Sequence, residues 1–230
     1  MTTTSLTPYT VDVVFCIDVT SSMTPYLAQV KKLALNFSEN FEATMISSGR
    51  TIENLRARIV WFRDLETGDD AIGGSPFYTL PDQQAQFSEM MESLSASGGG
   101  TYPESSLEGL WRAMNSEWQT SGSRRRHIIV LATDDAAHPL GKFPYELPQV
   151  PFPTPKNIVE FQKRWGMPGM DEHALMDKNA RRLVLFAPDK EPWPSIGDNW
   201  ANTLYVPSSA GSGVDEVTVD QILIRLTASV

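Results

Sequence analysis

Apolar residues along this chain follow two rhythms. One is short and continuous: Val11–Ile17 (VDVVFCI), Ala57–Phe62 (ARIVWF), His127–Ala132 (HIIVLA) and Leu183–Ala187 are runs rich in β-branched and aliphatic side chains. Runs of this length suit parallel strands buried on both faces. Thr203–Val206 reads as a weaker strand. Ser75–Leu80 contains Pro76 and follows two glycines, which places it at a sheet edge. The other rhythm is helical. Leu27, Val30, Ala34, Phe37 and Phe41 recur at helical spacing after Pro25, with Thr24 as the expected cap. Phe87, Met90, Met91 and Leu94 mark a second helix, and Leu107, Leu110, Trp111 and Met114 a third opened by Pro103. Helices are also expected over 158–165, 171–180 and, from Val219, Ile222, Leu223 and Leu226, at the carboxyl end.

Strands that alternate with helices imply βαβ units with right-handed crossovers. The expected fold is therefore α/β: one doubly wound, mostly parallel, Rossmann-like sheet of six strands. It carries helices on both faces and one antiparallel edge strand. Residues 1–9 read as an N-terminal arm and 10–230 as a single domain. Six of the 16 prolines fall between 139 and 155. No regular element tolerates that density, so 135–157 reads as a Pro-rich loop insertion.

Lys and Arg number 19 and Asp and Glu 28, a formal charge of −9. An acidic chain lacks the basic face that nucleic acid needs, and anionic membranes are disfavoured for the same reason. With one cysteine, Cys16, no intrachain disulfide can form. The opening residues have neither a basic nor an apolar signal-peptide region, and no apolar run reaches the ~20 residues of a membrane span. The expectation is a reducing, cytoplasmic setting.

In doubly wound sheets, ligands bind beyond the carboxyl ends of the strands where the strand order reverses. Asp18-Val19-Thr20-Ser21-Ser22 follows the first strand, and Thr133-Asp134-Asp135 follows the strand at 127–132. In an order such as 3-2-1-4-5-6 those two strands are neighbours, about 4.8 Å apart, so Asp18 and Asp134 face one edge. Two such carboxylates repel unless a cation lies between them. Thr20, Ser22 and the Thr101 of Gly98-Gly99-Gly100-Thr101 add three hydroxyls. An all-oxygen set of this kind suits a hard cation: Mg²⁺ first, with Mn²⁺ or Ca²⁺ as substitutes.

D-x-T-x-S, then G-G-G-T, then T-D, in this order, resemble the metal-ion-dependent adhesion site of von Willebrand factor A (vWA) domains. The resemblance spans roughly residues 10–228, and the strings DVVFCIDVTSSM and GGGTYPES look closest to intracellular bacterial members. It implies that Asp18, Thr20, Ser22, Thr101 and Asp134 hold the metal. It also implies a non-enzymatic protein–protein interaction module in a bacterial stress or conflict system. Its metal would accept an Asp or Glu of a protein partner, such as an associated ATPase, kinase or phosphatase. Three positions depart from the family pattern: Thr20 and Ser21 in the first motif, and Asp135 where glycine is usual.

Two other readings stand beside this one. Asp18 after a first strand also resembles the nucleophile of Mg²⁺-dependent haloacid-dehalogenase-type phosphatases, but their general-acid position holds Thr20 here. The third is a scaffold whose metal only stiffens its loops. No G-x-x-x-x-G-K-[ST] and no G-x-G-x-x-G after the first strand is present. Cys16 reads as an inert buried thiol, Arg124-Arg125-Arg126 as a solvated rim opposite the metal edge, and His138 as an incidental loop residue within reach of Asp134.

Overall fold

The computed structural model describes residues 8–68, 70–99, 103–143, 150–151 and 153–207. Among them, seven strands form one sheet: β1 (Tyr9–Asp18), β2 (Ile52–Phe62), β3 (Ile72–Gly74), β4 (Tyr78–Leu80), β5 (Arg124–Ala132), β6 (Arg181–Ala187) and β7 (Thr203–Pro207). The order is β3-β2-β1-β5-β6-β7, with β4 also paired to β2. All pairings are parallel except those of β3 and β4 with β2. The sheet thus has the six expected positions. Its antiparallel edge position is shared by two three-residue strands, because the chain leaves the ladder at Ser75–Phe77, where Pro76 has no amide proton to give.

Every residue of β1 is buried, which explains its unbroken apolar run. Alternate positions feed two cores. Val11, Val13, Phe15 and Ile17 pack with Val30, Phe37 and Phe41 of α1 (Leu27–Ser47) and Phe87 of α2 (Gln84–Ser93). Val14 and Cys16 pack with Leu107, Leu110 and Trp111 of α3 (Ser106–Met114), Phe161 of α4 (Ile158–Trp165) and Ile196 of α5 (Trp193–Asn199). Asp12, in the middle of β1, is held by both arms of Arg56 at 2.8 Å. Such a fork is the strong form of carboxylate recognition.

Several local expectations shift. Residues 21–23 form a single 3₁₀ turn before α1 begins at Leu27, and the Thr24 hydroxyl donates back to the Ser21 carbonyl instead of capping forward. Only Asp171–His173 is helical within 171–180, as one 3₁₀ turn. The chain there bends because Asp177 accepts from the Asn179 amide at 2.8 Å and from Arg125 at 2.6 Å. α5 carries no long apolar stripe and went unread in the pattern. The expected C-terminal helix lies outside the described residues. Between 139 and 157 the described residues contain no helix or strand.

Candidate metal centre

β1 ends on Asp18 and pairs with β5 through Ile17 and Ala132. The next residues of both strands therefore leave the sheet side by side. Thr133 donates its hydroxyl to Asp18 Oδ2 at 2.7 Å. Thr20 donates its hydroxyl (2.7 Å) and its amide (2.9 Å) to Asp18 Oδ1. Ser22 donates to Asp134 Oδ1 at 3.0 Å. The Thr20 and Ser22 hydroxyl oxygens are themselves 3.0 Å apart. Thr20 and Ser22 are thus hydrogen-bonded to each other as well as to the two carboxylates, so four oxygen-bearing side chains converge on one point.

The glycine loop is bound to the same turn. The Ser21 amide and hydroxyl both donate to the Gly98 carbonyl, at 2.9 and 2.7 Å. Gly98 and Gly99 have φ of +68° and +94°, a region open to glycine at no steric cost. A Cβ on Gly99 would lie 3.2 Å from Thr20 Cβ and 3.4 Å from Glu104 Oε1. Gly99 is thus the spacer that lets Thr20 and Glu104 approach. Asp18, Thr20, Ser22 and Asp134 are brought together; Thr101 lies outside the described residues.

Glu104 and Asp64 were not singled out in the sequence. Glu104 is 3% exposed, and its Oε2 has no hydrogen-bond partner among the described residues. Burial pushes its carboxyl up to about 8, helped by the charges of Asp18, Asp64, Asp134 and Asp135. Asp64 is fully buried, with Oδ2 unpartnered among the described residues. Its Oδ1 accepts from the Glu66 amide and lies 3.4 Å from His138 Nε2. His138, 3% exposed, is thus a buried neighbour of Asp64. Both acids had signals. Glu104 follows Thr101 and Pro103 in the glycine loop, and Asp64 follows the second buried strand at the same edge.

The electrostatics are those of crowded carboxylates. Burial raises Asp18 to about 6, against the lowering hydrogen bonds from Thr20 and Thr133 and with a further push from Asp134. Burial also raises Asp134, with Asp135 adding to it and Ser22 and Lys190 opposing. Asp135 does not add a bare charge. Its Oδ1 accepts from Lys190 Nζ and from the Ala136 amide, both at 2.7 Å, and its carbonyl accepts from Trp193 Nε1. Among the described residues, no group of three or more His, Cys, Asp and Glu is disposed as a metal site. The donor set fits a hard cation through its hydroxyls and its two carboxylates. Cys16, walled off by burial, has its thiol pushed far up and is inert.

No protein-family model matches the chain, and no curated protein sequence does. Solved structures do. The pilus adhesin SpaC of Lactobacillus rhamnosus GG superposes with a TM-score of 0.55 at 12% identity, over 96% of this chain and 31% of that one. A von Willebrand factor type A protein of Catenulispora acidiphila gives 0.50 at 14% identity, over 94% and 42%. The chain has the vWA fold. Proximal thread matrix protein 1 of the mussel byssus gives 0.52 at 13% identity, over 95% and 47%. This vWA-fold chain therefore spans less than half the length of each of these proteins.

Proposed function

We propose that the chain is a divalent-metal-dependent protein-interaction module. Asp18, Thr20, Ser22 and Asp134, with Thr101 from the glycine loop, would hold Mg²⁺, and Mn²⁺ or Ca²⁺ would substitute. The observation that carries this reading is the convergence of Asp18, Thr20, Ser22 and Asp134 in one hydrogen-bonded cluster at the carboxyl edge of the sheet. When bound, the cation supplies an exchangeable coordination position that a partner's Asp or Glu can fill. Asp18 and Asp134 neutralise most of the ion's charge, Thr133 and Thr20 orient Asp18, and Gly99 keeps the edge open. Glu104 adds a further oxygen beside Thr20.

Adhesion by a pilus protein of the same fold supports an interaction role. Asp18 is poorly disposed as a phosphatase nucleophile, because both its oxygens accept hydrogen bonds and it is fully buried. Partners of the ATPase, kinase or phosphatase kind in a bacterial stress or conflict system, and a cytoplasmic setting, belong to the same proposal. They rest on the likeness of the D-x-T-x-S and glycine-loop strings to intracellular bacterial members.

The test is calorimetric titration of Mg²⁺ and Mn²⁺ into wild type, Asp18→Ala and Ser22→Ala, with circular dichroism on each. Saturable binding by wild type, lost in folded Asp18→Ala and weakened about tenfold in Ser22→Ala, is expected. Absence of saturable binding by wild type overturns the reading. Ser22→Ala keeps the test open if Asp18→Ala does not fold, since Ser22 lies outside the buried end of β1.

A further inference from the structure

The edge of the sheet opposite the metal centre is where the parallel strands begin. There a cavity of about 640 Å³ is lined by Tyr9, Arg50, Arg124, Arg126 and Arg182, among others. Among the described residues its lining holds six cationic side chains and a single carboxylate, Asp177, which is paired with Arg125 at 2.6 Å. Lys178, another of the six, also reaches Asp171 at 3.7 Å. In a chain of net charge −9 this is a local inversion of sign.

Of the Arg124-Arg125-Arg126 run read as a solvated rim, Arg124 is exposed and Arg125 half-buried, but Arg126 is buried. Arg126 is 9% exposed and Arg182 6%. Some of their donors satisfy backbone carbonyls: Arg126 reaches Arg125 O at 2.7 Å, and Arg182 reaches Arg181 O at 2.7 Å and Asn179 O at 3.2 Å. Carbonyls carry only partial charges, so they leave the positive charge of Arg126 in place. Arg126 Nε has no partner among the described residues. The Arg124 and Arg126 guanidinium carbons lie 5.5 and 5.0 Å from the Tyr9 ring centre, which holds both groups at the cavity wall. Burial lowers Arg182 to about 10, with Arg126 and Arg181 adding to the effect. Crowded guanidiniums repel, and a bound anion would relieve that repulsion.

We propose that this cavity binds a small anion carrying two or more phosphate groups. Guanidinium forks match phosphate oxygens in pairs. A recess of this volume falls in the range of small-ligand sites. A long nucleic-acid strand would instead meet the net negative field of the whole protein. This site is independent of the metal centre.

The test uses metal-stripped full-length protein, with no chelator in solution. Tripolyphosphate, ATP and a short single-stranded DNA are titrated calorimetrically into wild type, Arg124→Gln and Arg126→Gln. Saturable binding of tripolyphosphate, weakened about tenfold in each variant, is expected from the loss of one charge-assisted contact. Equal affinity for ATP would make the phosphate chain the ligand; tighter ATP binding would make it a nucleotide. Both support the site. Arg124 is exposed, so Arg124→Gln remains informative if Arg126→Gln melts early. No saturable tripolyphosphate binding, binding equal in Arg124→Gln and wild type, or binding of DNA alone overturns the proposal.

Discussion

Ser22 and Asp134 meet across the carboxyl edge of the sheet, hydroxyl to carboxylate at 3.0 Å, although 112 residues separate them in sequence. β1 and β5 lie side by side and release their next residues at one point. Ser22→Ala removes the proton that orients Asp134 and one candidate ligand oxygen. It should cost about 1 kcal/mol of stability while weakening Mg²⁺ binding about tenfold. Chemical denaturation and calorimetry on the same samples check the pair. A variant that loses stability but keeps full metal affinity would remove Ser22 from the ligand set.

Metal-free protein should lose stability as the pH rises. Asp18, Glu108 and Glu104 are raised by burial to about 6, 7 and 8. Each holds its proton in the folded state beyond the point where the unfolded chain, near pH 4, has released it. Through these three groups the folded state binds more protons, and their contribution to stability declines as the pH climbs from about 4 to about 8, opposed near pH 6 by His127 and His138, which burial lowers. Melting temperatures of metal-stripped protein test this. Added Mg²⁺ should flatten the slope, because the cation replaces the protons. A metal-free melting temperature that rises across this range would contradict the assignment.

Glu104 separates stability from binding. Glu104→Gln deletes a buried carboxylate without changing its size. At pH 8 the metal-free variant should melt a few degrees above wild type, by relief of like-charge repulsion. Its Mg²⁺ affinity should be lower. A variant with unchanged metal affinity would leave Glu104 as a neighbour of the site and no more.

Lys190 shields the site from Asp135. The ion pair is 2.7 Å long, but Lys190 is 56% exposed, so its worth is limited by solvent screening. Lys190→Gln should leave stability nearly unchanged and raise Mg²⁺ affinity about two- to fivefold at low salt, because Asp135 then acts on the cation unopposed. The effect should fade as salt is added.

Phe15 tests the core. It is 1% exposed and packs against Phe37 and Phe87, with ring centres 5.5 and 6.0 Å away. Phe15→Ala should cost about 3–5 kcal/mol, read by urea denaturation.

Much of this molecule was legible in its sequence. β1, β5 and β6 announce themselves because a strand buried on both faces has no polar side to interrupt its apolar run. The α1 stripe is equally plain, since Val30, Phe37 and Phe41 must reach one core. Asp18, Thr20 and Ser22 sit at a strand end, a place known from the pattern alone. The turn at Asp171–Ala180 was not legible, because the Arg125 that bends it comes from β5. Nor was α5, which is too short for a hydrophobic period to show.

Sequence alone determined the buried parallel strands, the longer helices and which polar residues stand at strand ends, because those depend on neighbours a few positions away. Only the tertiary structure decided which of those ends share an edge. The parallel order β2-β1-β5-β6 puts Asp64, Glu104 and Asp134 around Asp18, and gathers Arg124, Arg126 and Arg182 at the opposite edge. Burial and charge are long-range properties: a carboxylate becomes a raised acid, and an arginine a buried cation, through residues from other elements that fold onto it.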